Sequence, residues 1–332
     1  MPSTVPTASA DPVLTPDELL AITRRAFGKD ATLQDAIPVG GGTVNEVWML
    51  SVEGRGRVIL RVAPSPAAVA AGPSWLTTDG LRREQAAIAL LPQLAAILPR
   101  TICFDGTHDR VNRDWVVQTV VPGRPWSEVN AQMDHAARID LWRQMGVICR
   151  IIHDVTGLAF GPVHASTFAT WAELLHDDAR GLLADAERFG LAWEPFAHLL
   201  AAVEADRALL NRVTTPALIH SDLGPRHCFV EQQAEGAWRI VGLIDLEFAR
   251  FADPMSESTI ELFDLMPPDP RFRDAFWAGY GHVDLMPGAE RRATLYAAIA
   301  LGWVATDLAR LGSHDDVPGV LDRMTGYLDQ LV

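Results

Sequence analysis

LIHSDLGPRHCFV, residues 218–230, reads as a short apolar strand, a polar turn and a second apolar run, and it places His220, Asp222 and His227 in one tight loop. A carboxylate two residues after one histidine and five before another sits on a turn, where side chains are free to converge on a ligand. The next apolar run ends in LIDLEFARFADP, residues 243–254, with Asp245 at the end of the strand. Either aspartate alone reads equally well as an Asx-turn or a cap. Together, on two loops joined by a predicted β-hairpin, they define a candidate acidic centre.

Outward from that hairpin the pattern is helical. Residues 135–155, 170–189, 194–213 and 291–311 repeat apolar side chains at helical spacing, and only ALIH, CFVEQQ and WRIVGLID interrupt them as strands. Upstream the pattern changes. Thr15, Pro16 and Glu18 spell a capping box at a helix start. AIPV, the glycine turn and VNEVWMLSVEGRGRVILRVAP then read as antiparallel strands around an EGRG turn. DGLRREQAAIALLPQLAAIL is a helix that Pro92 bends or interrupts, and WVVQTVVPGRPW is a strand ending at a Pro122-Gly123 hinge. The expected division is a flexible tail over 1–12, a sheet-rich lobe over 13–121 and a helical lobe over 122–332.

The two aspartate motifs and their flanking strands resemble the catalytic core of the aminoglycoside phosphotransferase family. The resemblance implies an α+β, bilobal protein-kinase-like fold that phosphorylates small hydroxylated molecules. It implies Asp222 as the base that orients the attacking hydroxyl and His220 as a brace for its loop. Asp245 is the expected metal ligand, and His227 stands where kinases carry a metal-binding asparagine, as in macrolide-type members. Such a site uses Mg2+ and ATP or GTP, because phosphoryl transfer is mostly positioning and charge neutralisation. Ser221 replaces the arginine with which regulated protein kinases read activation-loop phosphorylation. Asp253 either orders the segment after the metal ligand or caps a helix.

In the small lobe, Gly41, Gly42, Thr43 and Asn45 form a glycine-rich turn whose N–H groups suit phosphates, although such turns also join ordinary hairpins. Arg61 in VILRVAP stands where kinase-like folds present a phosphate-binding lysine, with Glu84 as its partner. An ordinary surface pair is the alternative, and Arg82 and Arg83 compete for the role. The resemblance places Gln118, Val120 and Val121 beside a purine edge. For the acceptor, Glu257, Glu261 and Asp264 recur at i, i+4, i+7 and share a face if their segment is helical. A solvated face is the competing reading. Trp126, Trp277 and Trp303 line a more apolar acceptor pocket or pack in the core.

Composition sets the outer limits. The chain has 332 residues, 48% of them hydrophobic, which is enough for two packed lobes. A net charge of −14 disfavours nucleic acid and suits either a small cationic ligand or plain solubility. No run approaches the roughly 20 apolar residues of a membrane span, and the first residues lack a secretory pattern. Three scattered cysteines fit reduced thiols in a cytoplasm. A monomer or weak dimer is expected. The leading expectation is an antibiotic kinase of aminoglycoside or macrolide type. Its rivals are a metabolic kinase of an amino alcohol, amino acid or sugar, and a non-catalytic kinase-like binding protein.

Overall fold

The computed structural model describes residues 14–40, 42–257, 266–283 and 286–331. Helix α1 (Pro16–Phe27) opens it with the expected capping box, Thr15 and Glu18 each satisfying the other's backbone N–H. Strands β1 (Leu33–Pro38), β2 (Glu46–Val52) and β3 (Gly56–Val62) follow, then helices α2 (Pro66–Ala71) and α3 (Gly80–Ala89), and strands β4 (Thr101–Asp105) and β5 (Trp115–Thr119). The five strands form one antiparallel sheet in the order β1-β2-β3-β5-β4. Alternation along β3 buries Val58, Leu60 and Val62 completely or nearly so, and turns Arg61 to the other face.

The chain leaves this sheet after Thr119, three residues before the Pro122 stop expected from sequence, and passes through β6 (Arg124–Pro125) and α4 (Trp126–Val129). Helix α5 (His135–His153), strand β7 (Gly161–Pro162) and helices α6 (Trp171–Phe189), α7 (Glu194–Ala205) and α8 (Arg207–Leu210) come next. The single helix expected over 194–213 thus breaks at Asp206, whose carboxylate takes Arg291 at 2.8 Å instead of facing solvent. Strand β8 (Ala217–Ile219) leads into the first aspartate loop, the β9 (Cys228–Gln232) and β10 (Trp238–Leu243) hairpin carries the chain to the second, and β11 (Arg250–Ala252) pairs back onto β8. Helices α9 (Pro270–Tyr280), α10 (Ala289–Arg310) and α11 (Val317–Leu328) complete the second lobe.

Two cores meet at β8. Leu218 packs with α5, α9 and the hairpin, while its neighbour Ile219 packs with α6, α7, α10 and α11. Alternation along one short strand therefore pins the first aspartate loop between both cores. Residues 64–79, between β3 and α3, form a strap that crosses from the sheet lobe to the helical lobe. The Ser74 N–H donates to both oxygens of Asp185 on α6, at 2.9 and 2.8 Å, its hydroxyl donates at 2.7 Å, and Trp75 Nε1 donates to Thr306 on α10 at 3.0 Å. Among the described residues no helix is long and apolar enough to cross a membrane.

Candidate active site

The first loop is fixed from below. His220 is fully buried; its Nε2–H donates to the Ile244 carbonyl at 3.0 Å, and its Nδ1 accepts the Asp222 N–H at 3.3 Å. Burial lowers the His220 pKa, which keeps the ring neutral for this donor-and-acceptor role. Since Ile244 precedes Asp245, one imidazole ties the two loops together.

Glu257 completes the support. Its carboxylate accepts the N–H of His220 at 2.6 Å and of Ser221 at 2.8 Å, and His153 Nε2 lies 3.4 Å away. Ser221 needs that hold, because its φ of 71° is a left-handed conformation that a side chain resists. This corrects the expectation that Glu257 meets the acceptor. Residues 254–256 form a 3₁₀ turn that folds back under β8, so Glu257 is 3% exposed and engaged by backbone donors. Glu261, Asp264 and Gly41 lie outside the described residues.

Above this base the charged groups converge. Asp222 is partly exposed, and its Oδ1 accepts Arg226 Nη2 at 3.0 Å. His227 Nδ1 donates to the Asp222 carbonyl at 2.7 Å, which leaves Nε2 as a lone pair 3.4 Å from Asp245 Oδ2. When the ring is neutral these are two electron-rich atoms that a shared cation would bridge. A mixed nitrogen and oxygen pair with a second-shell bond on the other ring nitrogen therefore fits a divalent metal. Asp245 adopts φ of 76°, and its Oδ1 accepts Arg61 Nη2 at 2.7 Å. Burial works against its charge, but the Arg61 guanidinium beside it holds the carboxyl below the usual range.

Arg61 also bonds Glu84, whose other oxygen accepts Gln118 Nε2 at 2.8 Å. The competition is thereby decided: Arg82 pairs with Asp114 and Arg83 with Asp79, leaving Glu84 to Arg61. Burial disfavours the Arg61 charge, yet Glu84, Asp245 and Glu247 together raise its pKa above the ordinary value. The glycine-rich turn reaches the same cleft through Asn45, which donates to Glu247. Gly42 and Thr43 are exposed beside it. Val120 and Val121 follow β5 at the exit from the sheet, Val120 exposed and Val121 half-buried.

Sequence reasoning missed Glu247, whose signal is its place two residues after Asp245, and Arg226, whose signal is its place four residues after Asp222. A cavity of about 520 Å³ opens beside Asp222. Trp303 lines it, joined by Trp75 from the strap, whereas Trp126 is core and Trp277 is exposed against Phe276 and Tyr280. Besides Asp222, its acidic groups are Asp177, Asp178 and Asp307, from α6 and α10.

The sequence model of the phosphotransferase enzyme family matches residues 35–295. Among curated proteins none matches the chain in sequence. The fold is similar to that of wild-type aminoglycoside 2'-phosphotransferase-IIIa in complex with GDP, at 18% identity and a TM-score of 0.65, over 96% of this chain and 100% of that one. It is similar to a thermostable mutant of aminoglycoside phosphotransferase APH(4)-Ia bound to ADP and hygromycin B, at 15% identity and a TM-score of 0.62, over 94% and 98%. A candidate fructosamine-3-kinase from Haemophilus somnus 129PT is similar at 13% identity and a TM-score of 0.63, over 95% and 96%.

Proposed function

The chain belongs to the phosphotransferase enzyme family, and from that premise we propose that it moves the γ-phosphoryl group of ATP or GTP to a hydroxyl group of a small molecule. The observation that carries the reading is the meeting of Asp222, His227, Asp245 and Arg61 in one cleft beside a cavity. Asp222 accepts a hydrogen bond from the acceptor hydroxyl and aims its oxygen at phosphorus; the new oxygen–phosphorus bond forms as the bond to the nucleotide's bridging oxygen breaks, and the proton passes to Asp222. His227 and Asp245 would hold Mg2+, which supplies neutralisation of the phosphate oxygens. Arg61 adds a fixed positive charge, and Glu84 and Gln118 lock its direction. Asn45 brings the glycine-rich turn over the same ground, and Val120 and Val121 offer backbone groups to the purine.

A small cleft-bound acceptor also suits the cavity's position beside Asp222. The antibiotic acceptor expected from the family resemblance finds a parallel in hygromycin B bound to a structure of 15% identity, a likeness that carries the fold alone. The non-catalytic alternative is disfavoured because both aspartates and their supports are intact. The test is Asp222→Asn with Mg2+, ATP or GTP, and a panel of hydroxylated acceptors. Turnover by mass spectrometry should fall by about 10²–10⁴-fold while calorimetric nucleotide affinity is unchanged. Loss of nucleotide binding together with turnover would make Asp222 a ligand or a structural residue instead.

A further inference from the structure

The cavity beside Asp222 carries charge on its wall but keeps that charge matched. Each of its four carboxylates meets a guanidinium: Asp177 with Arg180 at 2.9 Å, Asp178 with Arg250 at 2.7 Å, Asp222 with Arg226 at 3.0 Å and Asp307 with Arg310 at 2.6 Å. The remaining arginine of the wall, Arg83, pairs with Asp79 at 3.3 Å. Among the described residues a charged guest therefore finds no unmatched opposite charge, and it would have to displace one member of an existing pair.

The neutral donors of the wall are engaged as well. The Ser74 hydroxyl donates to Asp185 at 2.7 Å, that of Thr77 to Asp79 at 2.6 Å, and those of Ser256 and Tyr296 to the Asp253 carbonyl and carboxylate at 2.7 Å. Trp75 Nε1 donates to Thr306 at 3.0 Å, and the Ser221 hydroxyl lies buried beneath the surface. What the wall offers instead is ring surface. Trp75, Phe168, Phe248 and Trp303 all line the cavity, and each keeps part of its surface open. Neighbours hold the rings in place: Trp75 meets Phe248 edge to face at 5.9 Å, and Arg250 lies 4.8 Å from the ring centre of Trp303. Four partly open aromatic rings around a cavity of about 520 Å³ make a surface for an apolar guest of small-molecule size.

We infer that the acceptor is an uncharged alcohol with an aromatic body, which lays its rings against Trp75, Phe168, Phe248 and Trp303 and brings one hydroxyl to Asp222. The inference rests on the phosphotransferase reading of the same site. Arg226 takes Asp222 Oδ1, which leaves Oδ2 to accept the hydroxyl proton. The alcohol oxygen bonds to the γ-phosphorus as the bond to the nucleotide's bridging oxygen breaks, giving a phosphate monoester and a nucleoside diphosphate. A polyamine would bring ammonium groups to carboxylates that are already paired, and a polyol would bury hydroxyls against ring surface without partners.

The experiment uses the full chain with three probes: 2-(2-naphthyl)ethanol, its 6-aminomethyl derivative, which sets an ammonium group at the far end of the ring, and kanamycin. Binding is read by calorimetry without nucleotide, and product by mass spectrometry with Mg2+ and ATP or GTP. The alcohol should bind and be phosphorylated, with the ammonium derivative at least about tenfold weaker, as expected for a charge brought against an apolar wall. Trp303→Ala and Phe168→Ala should each weaken the alcohol about tenfold through lost ring burial, with Mg-ATP affinity unchanged. Mg-ATP binding also certifies that each variant is folded. Should either fail to fold, Val304→Trp, at an exposed position on the same wall, fills the cavity and should abolish alcohol binding while Mg-ATP still binds. Phosphorylation of kanamycin with the alcohol ignored would overturn this inference and leave the phosphotransferase reading standing. Equal binding of alcohol and ammonium derivative, no binding of either, or indifference to the cavity variants would also overturn it. Alcohol binding that depends on Trp303 and Phe168, with no phosphorylated product from any probe, would support the cavity chemistry and count against phosphoryl transfer.

Discussion

His227 divides its ring between two tasks. Nδ1 is committed to the Asp222 carbonyl, and Nε2 is left facing Asp245. Nitrogen is a poorer ligand than oxygen for Mg2+ and a good one for Mn2+, so the wild-type site should favour Mn2+ more than an all-oxygen site does. His227→Asn should retain nucleotide binding but shift the Mn2+ to Mg2+ preference toward Mg2+. His227→Ala should lose at least about tenfold in metal-dependent nucleotide affinity, measured by metal titration calorimetry. If Asn and Ala behave alike, His227 only braces the loop. At this scale the sequence was informative where spacing is tight: His220, Asp222 and His227 lie within one turn, so their meeting is a local matter. Glu257 shows the opposite case. Its carboxylate could face a cavity or a backbone, and the choice depends on a 3₁₀ turn folding under β8, which no spacing reveals.

Helices α5 and α9 approach so closely that a Cβ on Gly146 would lie 2.1 Å from the Phe276 carbonyl oxygen, and one on Gly279 1.9 Å from that of Arg143. The contact has a function beyond packing. It brings His153 of α5 to Tyr280 of α9 at 2.8 Å, and His153 in turn stands beside the Glu257 that holds the Asp222 loop. Gly146→Ala and Gly279→Ala should each push the helices apart and destabilise the protein by about 1–3 kcal/mol, read by denaturant unfolding. Turnover should fall more than nucleotide affinity, because the disturbance reaches Asp222 before it reaches Arg61. Wild-type stability in both variants would show that the crossing relaxes freely. The apolar periodicity of α5 was plain in the sequence. Its partner was not, because two glycines on helices far apart in the chain announce nothing about each other until both helices are placed.

Across the whole molecule, the two-lobe outline followed from a change of period, alternating strands giving way to long helices. Charge burial at the junction did not follow from pattern. Glu247 is pushed up to about 8, first by burial and then by the Asp245 charge, against the pull of Arg61 and Asn45. The folded chain therefore holds a proton that the unfolded chain releases near the ordinary value of 4.5. Between those limits stability falls as pH rises, at a slope of about 1.4 kcal/mol per pH unit for one full proton; it is greatest below the lower limit and level in this respect above the upper one. Glu247→Gln should flatten that slope by about one proton in denaturant titrations across the window, and an unchanged slope would mean that Glu247 ionises freely in the fold. The strap over residues 64–79 was equally hidden, since nothing in PSPAAVAAGPSW points to a partner on α6 or α10. Its chain continues β3, which carries Arg61, while Ser74 and Trp75 are fastened to Asp185 and Thr306 of the other lobe and wall the cavity beside Asp222. A lobe opening wide enough to release spent nucleotide must break those fastenings or drag the wall with it. In the proposed reaction the two substrates are then not independent guests: whatever factor one applies to the other's affinity is returned in equal measure, through a connection that touches no reacting atom.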